Sequence, residues 1–131
     1  MNNTYDVVFN DEYNSNSKGW KQTLRYCIDY IKSNNGTDNS YFADYKNGVV
    51  SIVCNETGKT VYEKPVKSYD VVFAKGNNFS IKGWIKSKEY CINYIQTNNG
   101  TGVDEFDTFV GGIVYVADND TCDVVYEEEV K

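Results

Sequence analysis

Tyr5-Asp6-Val7-Val8-Phe9 is followed, at an offset of 64 residues, by Tyr69-Asp70-Val71-Val72-Phe73. The same offset pairs Lys18-Gly19-Trp20 with Lys82-Gly83-Trp84, and Tyr26-Cys27-Ile28 with Tyr90-Cys91-Ile92. It also pairs Asn34-Asn35-Gly36-Thr37 with Asn98-Asn99-Gly100-Thr101, and Val61-Tyr62-Glu63 with Val125-Tyr126-Glu127. Without an insertion, 28 of the 63 positions from Tyr5 onward are identical. An internal period of this length reads as a tandem duplication of one small α+β unit, residues 1–67 and 68–131.

Within each unit the hydrophobic spacing changes from one element to the next. Tyr5, Val7 and Phe9 alternate with Asp6 and Val8, which predicts a short strand, and an Asn- and Ser-rich loop follows. From Lys18 to Asn34 the period becomes helical: Trp20, Leu24, Cys27, Ile28 and Ile31 share a stripe, Ser17 or a neighbour would cap the start, and Asn35-Gly36 stops the helix. Tyr41–Tyr45, Val49–Cys54 and Thr60–Val66 then read as three strands, separated by Lys46-Asn47-Gly48 and Asn55-Glu56-Thr57-Gly58 turns. The expected unit is β-α-β-β-β, an antiparallel meander with one covering helix.

A unit of this size is marginal alone, and Val66-Lys67-Ser68 leaves almost no linker, so the two units are expected to pack as one pseudo-twofold body. Tyr26 and Tyr30, with Tyr90 and Tyr94, widen the apolar arc of each helix and are expected to pack at the seam between units. The alternative is that these rings lie flat as amphipathic rims. Exposed strand edges would also permit a homodimer.

Composition narrows the function classes. The chain holds no histidine and a single arginine, Arg25, so the usual general base at neutral pH and the commonest metal ligand are missing. No phosphate-cradling or dinucleotide motif occurs, and Cys27 and Cys91 fall on the predicted core face. The four cysteines are expected to be reduced structural thiols. An enzyme is not expected, nor is a cofactor or metal; the remaining catalytic alternative is a hydrolase or nickase using grouped carboxylates and a divalent ion. Asp118-Asn119-Asp120-Thr121-Cys122-Asp123 is rich in oxygens but lacks the glycine and distal glutamate of a calcium loop, and it reads as a turn.

Charge separates the halves. Residues 1–67 carry eight basic and eight acidic side chains, and residues 68–131 five and eleven, so the net charge of −6 belongs to the second half. Its acids cluster at Asp104, Glu105 and Asp107, at Asp118, Asp120 and Asp123, and at Glu127, Glu128 and Glu129. These residues are expected to face a protein partner with a basic cleft, of which nucleic-acid enzymes are the commonest kind. Lysine outnumbers arginine twelve to one, a bias of A+T-rich codons that fits a low-G+C bacterium or its phage. The most specific expectation is therefore a phage or mobile-element inhibitor of a host defence enzyme, anti-CRISPR-like in action. The competing expectation is direct nucleic-acid binding through Lys18, Lys21, Arg25 and Lys32 on the first helix, or by base stacking on Tyr41, Phe42, Tyr45 and Tyr62. With no secretion-signal pattern at Met1–Asp6 and no run approaching the roughly 20 apolar residues of a membrane span, the reading is a soluble, cytoplasmic chain without membrane contact.

Overall fold

Val7 and Phe9 are fully buried while Asp6 and Val8 turn to the opposite face, as the alternation of the first strand requires. The computed structural model describes residues 2–131, with Ser40 by its backbone alone. By contacts the chain divides into two compact units, Met1–Val66 and Lys67–Lys131. The fold is α+β, with one four-stranded antiparallel sheet and a few helices in each.

In the first unit the elements run β1 (Tyr5–Asn10), β2 (Ser15–Ser17), α1 (Leu24–Asn34), α2 (Ser40–Asp44), β3 (Val49–Cys54) and β4 (Thr60–Pro65). The sheet order is β2-β1-β3-β4. In the second unit they run β5 (Tyr69–Lys75), β6 (Asn78–Ile81), α3 (Lys88–Asn98), a 3-10 turn at Asp104–Phe106, β7 (Ile113–Asp118) and β8 (Val124–Glu129), in the order β6-β5-β7-β8. Helix α1 covers its sheet through Cys27 and Ile31, and α3 does so through Cys91 and Ile95. All four cysteines are free thiols, and burial pushes the Cys27 thiol up from its ordinary pKa.

Three expectations need correction. The helix does not begin near Lys18: Thr23 is the N-cap, its hydroxyl accepting the Tyr26 N–H at 3.1 Å, and Ser87 caps α3 in the same way. Residues before it are claimed by the first strand, since Tyr5 and Gln22 exchange backbone hydrogen bonds and the Asp6 carboxylate accepts the N–H groups of Gly19 and Trp20. Tyr41–Tyr45 is not a strand but lies in α2 and its C-cap: Phe42 and Tyr45 both enter the core, a three-residue spacing that a strand would send to opposite faces. Finally, the supposed polar loop contains an edge strand, β2 or β6, hydrogen-bonded to β1 or β5. Each unit is therefore β-β-α, then a short helical segment, then β-β, with the first strand interior to the sheet.

Gly48 and Gly112 show why the hairpin region tolerates no side chain. A Cβ at Gly48 would stand 2.4 Å from the Asn10 carbonyl, and one at Gly112 would stand 2.4 Å from that of Ala74. Both glycines let the turn before β3 or β7 press directly on the neighbouring strand.

Candidate acidic interaction surface

The second unit spans six basic and eleven acidic side chains, the first seven and eight. What matters for a partner is which of those acids remain open after the unit has folded.

Lys82 leaves β6 and lies over the rings of Trp84 and Tyr94, with Nζ at 5.6 and 5.4 Å from their centres. The same ammonium meets Glu105 at 2.8 Å and Asp104 at 3.6 Å. Burial is the largest single influence and favours the neutral amine, but Glu105 and Tyr94 together outweigh it and hold the Lys82 pKa above its ordinary value. Tyr94 donates its hydroxyl to Asp104 at 2.9 Å, and burial together with that carboxylate raises the phenol pKa. In the first unit Lys18 occupies the corresponding place over Trp20, Tyr30 and Tyr41, at 5.3, 5.6 and 4.9 Å. Tyr41 stands where the second unit has Glu105, so a ring in one unit does the work of a carboxylate in the other.

Asp118 is also engaged inside the unit. Its Oδ2 accepts from the Lys67 ammonium at 2.6 Å, and its Oδ1 accepts the N–H groups of Asp120 and Thr121 at 2.8 and 3.3 Å. Burial pushes this carboxyl up, but the Lys67 bond and the two backbone donors outweigh it and hold it below the usual aspartate range. With both oxygens occupied, Asp118 is a poor cation ligand, and among the described residues no group of three or more acids or cysteines lies close enough to hold a metal ion. On β8, Glu128 accepts from the Tyr126 hydroxyl and from the Asn99 side chain at 2.9 Å, and the first of these does most to lower its pKa.

Five of the nine acids remain. Asp107, Asp120, Asp123, Glu127 and Glu129 are exposed and, among the described residues, make no ion pair. Glu127 and Glu129 share one face of β8, with Glu128 on the other. A shallow depression beside them is lined by Gly111, Gly112 and Ile113.

The basic residues of the first unit do not form one helical stripe, because Lys18 and Lys21 precede α1. Arg25 and Lys32 do lie on that helix, where Arg25 approaches Asp29 at 3.9 Å and both side chains are open to water. An exposed pair of this kind contributes little to stability. Nor are Phe42 and Tyr45 available for stacking bases: they sit in the core, where Phe9 packs against both rings. Tyr41 and Tyr62 are partly buried at the core margin. The helix tyrosines cover tryptophans of their own unit. Tyr26 and Tyr30 meet Trp20 at 5.5 and 4.8 Å, and Tyr90 and Tyr94 meet Trp84 at 5.6 and 4.8 Å. Tyr26 and Tyr90 stay about half exposed.

The internal pairings escaped a reading by sequence spacing because Lys82 and Glu105, or Lys67 and Asp118, are distant along the chain. An available signal was Glu105 at the position of Tyr41, beside Phe42 and Phe106, the one residue the two halves share between Thr37 and Gly48. Among the described residues no helix is long and apolar enough to cross a membrane. Comparison of the chain with protein-family models, with curated protein sequences and with solved structures gives no match.

Proposed function

We propose that the chain is a tandem duplication that works as a non-catalytic protein-interaction module, with the second unit offering an acidic surface to a basic cleft of a larger protein. The observation that carries this reading is the exposed pair Glu127 and Glu129 on one face of β8, free of ion pairs among the described residues in a unit that holds most of the negative charge. Open carboxylates steer a partner by long-range attraction and suppress wrong partners by repulsion. Basic clefts belong most often to enzymes that handle nucleic acids. Inhibition of such an enzyme, in the manner of a phage anti-defence protein, is the most specific form of the reading. Direct nucleic-acid binding is favoured less, since Lys18 is held over three rings and Asp29 stands beside Arg25.

The test is affinity capture from a low-G+C bacterial lysate with and without nuclease, comparing the native chain with Glu127→Lys/Glu129→Lys and with Lys21→Glu/Arg25→Glu. One near-stoichiometric protein that survives nuclease and is lost with the first variant alone is the expected result. Recovery of nuclease-sensitive material only, abolished by the second variant, overturns it in favour of nucleic-acid binding.

A further inference from the structure

The face of the second sheet that turns away from α3 is built of two rows running across all four strands. One row is Ile81, Val72, Tyr115 and Glu127, each opposite the next in strand register; the other is Phe79, Ala74, Ile113 and Glu129. Side chains directly opposite one another in antiparallel strands stand about 5 Å apart, so each row is a continuous line of contacts. Phe79 and Ile81 are 64% and 65% exposed, and Ile113 is 45% exposed. At the same positions the first unit carries Ser17, Val8, Ser51 and Glu63 in one row and Ser15, Asn10, Val49 and Pro65 in the other. The two units thus differ in more than charge: the second alone sets two aromatics, Phe79 and Tyr115, and two isoleucines on this face.

Strand β6 is an edge, and edges are ordinarily blunted by polar or charged side chains, as Ser15-Asn16-Ser17 do for β2. An exposed phenylalanine and isoleucine on an edge run against that rule and mark a contact surface. The rows fix what can bind. They run from apolar at β6 to anionic at β8, over about 14 Å at the usual spacing of strands. A phosphate backbone would meet Glu127 and Glu129, and so would an anionic membrane surface. A second copy would bring the same carboxylates, and two such rows cover far less than the roughly 800 Å² per partner that a stable dimer needs.

Building on the acidic interaction surface proposed above, we infer that this face docks a cationic amphipathic segment of a protein partner, its apolar side chains seated on the exposed Phe79, Ile81 and Ile113 and its lysines or arginines reaching Glu127 and Glu129. The apolar rows supply residence time and the carboxylates supply orientation. Serine at 79 and 81 is compatible with the fold, because Ser15 and Ser17 form the corresponding strand of the first unit.

The experiment is an NMR titration of the full chain with a short amphipathic helical peptide of leucine and lysine, kept at concentrations where it is monomeric. A leucine-glutamate peptide serves as the control. Expected are amide shifts confined to β5, β6, β7 and β8, no response to the control, and binding weakened by about tenfold or more in both Phe79→Ser/Ile81→Ser and Glu127→Gln/Glu129→Gln. If only the glutamate variant weakens binding, the apolar docking face is overturned while the acidic reading stands. If only the serine variant does, or neither does, the cationic partner is overturned together with that reading. Peptide-free sedimentation as a dimer that becomes monomeric in Phe79→Ser/Ile81→Ser, with no peptide shifts, also overturns it and assigns the face to self-association.

Discussion

Asp70 accepts the backbone N–H of Trp84 at 2.8 Å through Oδ1, and the same carboxylate accepts the N–H groups of Val71 and Gly83 at 2.7 and 3.1 Å. Asp6 holds Val7, Gly19 and Trp20 in the same way. One buried carboxylate thereby fixes the loop that sets the tryptophan and its lysine beside the helix. Asp70→Asn places an amide, with one donor in place of an acceptor, against converging N–H groups, and should lose about 2 kcal/mol of stability. Urea denaturation followed by tryptophan fluorescence checks it; a change within about 0.5 kcal/mol would mean that the carboxylate is not what holds the loop.

Gly112→Ala and Gly48→Ala should each destabilise by about 2–3 kcal/mol, because the new methyl would meet a strand carbonyl at 2.4 Å and the backbone has to move. Gly58→Ala is the control. Its φ is +72° but nothing lies within 4 Å of the added Cβ, so its loss should be about 1 kcal/mol. Losses at Gly48 and Gly112 no larger than that at Gly58 would show that the close approach to the strand carbonyl does not set the requirement there, since neither glycine has the positive φ of Gly58.

How far the sequence foretold these features depended on the range of the interaction. Residues that report on their own neighbours were legible: the alternation at Tyr5–Phe9, the helical stripe through Cys27 and Ile31 and the strand Val49–Cys54 stand where spacing placed them, and the strand expected at Thr60–Val66 runs from Thr60 to Pro65. Strand β2 was not legible, since Ser15-Asn16-Ser17 has no apolar period and exists because β1 offers it a ladder. The start of α1 was misplaced for a related reason: Trp20 continues the helical stripe on paper, yet Asp6 has already taken its N–H. In the candidate site, charge was legible as a total but its pairing was not. Asp104, Glu105, Asp118 and Glu128 are engaged by groups that spacing could not nominate, and the apolar rows arise only when β6 is laid beside β5.

Replacing Glu105 by tyrosine transplants the aromatic seat of Lys18 to Lys82. The ammonium would exchange a carboxylate at 2.8 Å for a ring, as over Tyr41 in the first unit. The variant should retain its fold, with stability changed by less than about 1 kcal/mol. The dependence of stability on salt should fall, since a ring is not screened as a carboxylate is. A salt series of thermal midpoints reads this directly, and an unchanged salt slope would place the screening elsewhere.

The Lys67–Asp118 bond gives a pH dependence of known sign. Asp118 has its folded pKa depressed, so its contribution is fully present above the ordinary aspartate value of about 4 and fades as pH falls through the lower folded value. Lys67 is held above its ordinary pKa chiefly by the bond to Asp118, so its share persists through neutral pH and is lost only in strong alkali. Lys67→Met should therefore weaken the second unit by about 1 kcal/mol at pH 7 and by less at pH 2, since lowering the pH moves Asp118 toward its protonated form, which no longer pairs with the ammonium. Denaturation at the two pH values checks it; an equal loss at both would mean that the methylene stem of Lys67, and not its charge, supplies the effect.

Cys122 occupies a left-handed backbone conformation, φ +65°, at the position where the first unit has Gly58 at φ +72°. A side chain there carries about 1–2 kcal/mol of strain, while glycine loses about 0.4–1 kcal/mol more in chain entropy on folding. Relief of strain exceeds the entropy loss, so Cys122→Gly should stabilise the second unit by up to about 1 kcal/mol. It also removes the one exposed thiol among the described residues. Native and variant should be compared in reductant, so that disulfide-linked dimers do not enter the measurement. A lower midpoint for the variant would show that the Cys122 side chain makes a stabilising contact that outweighs its backbone strain.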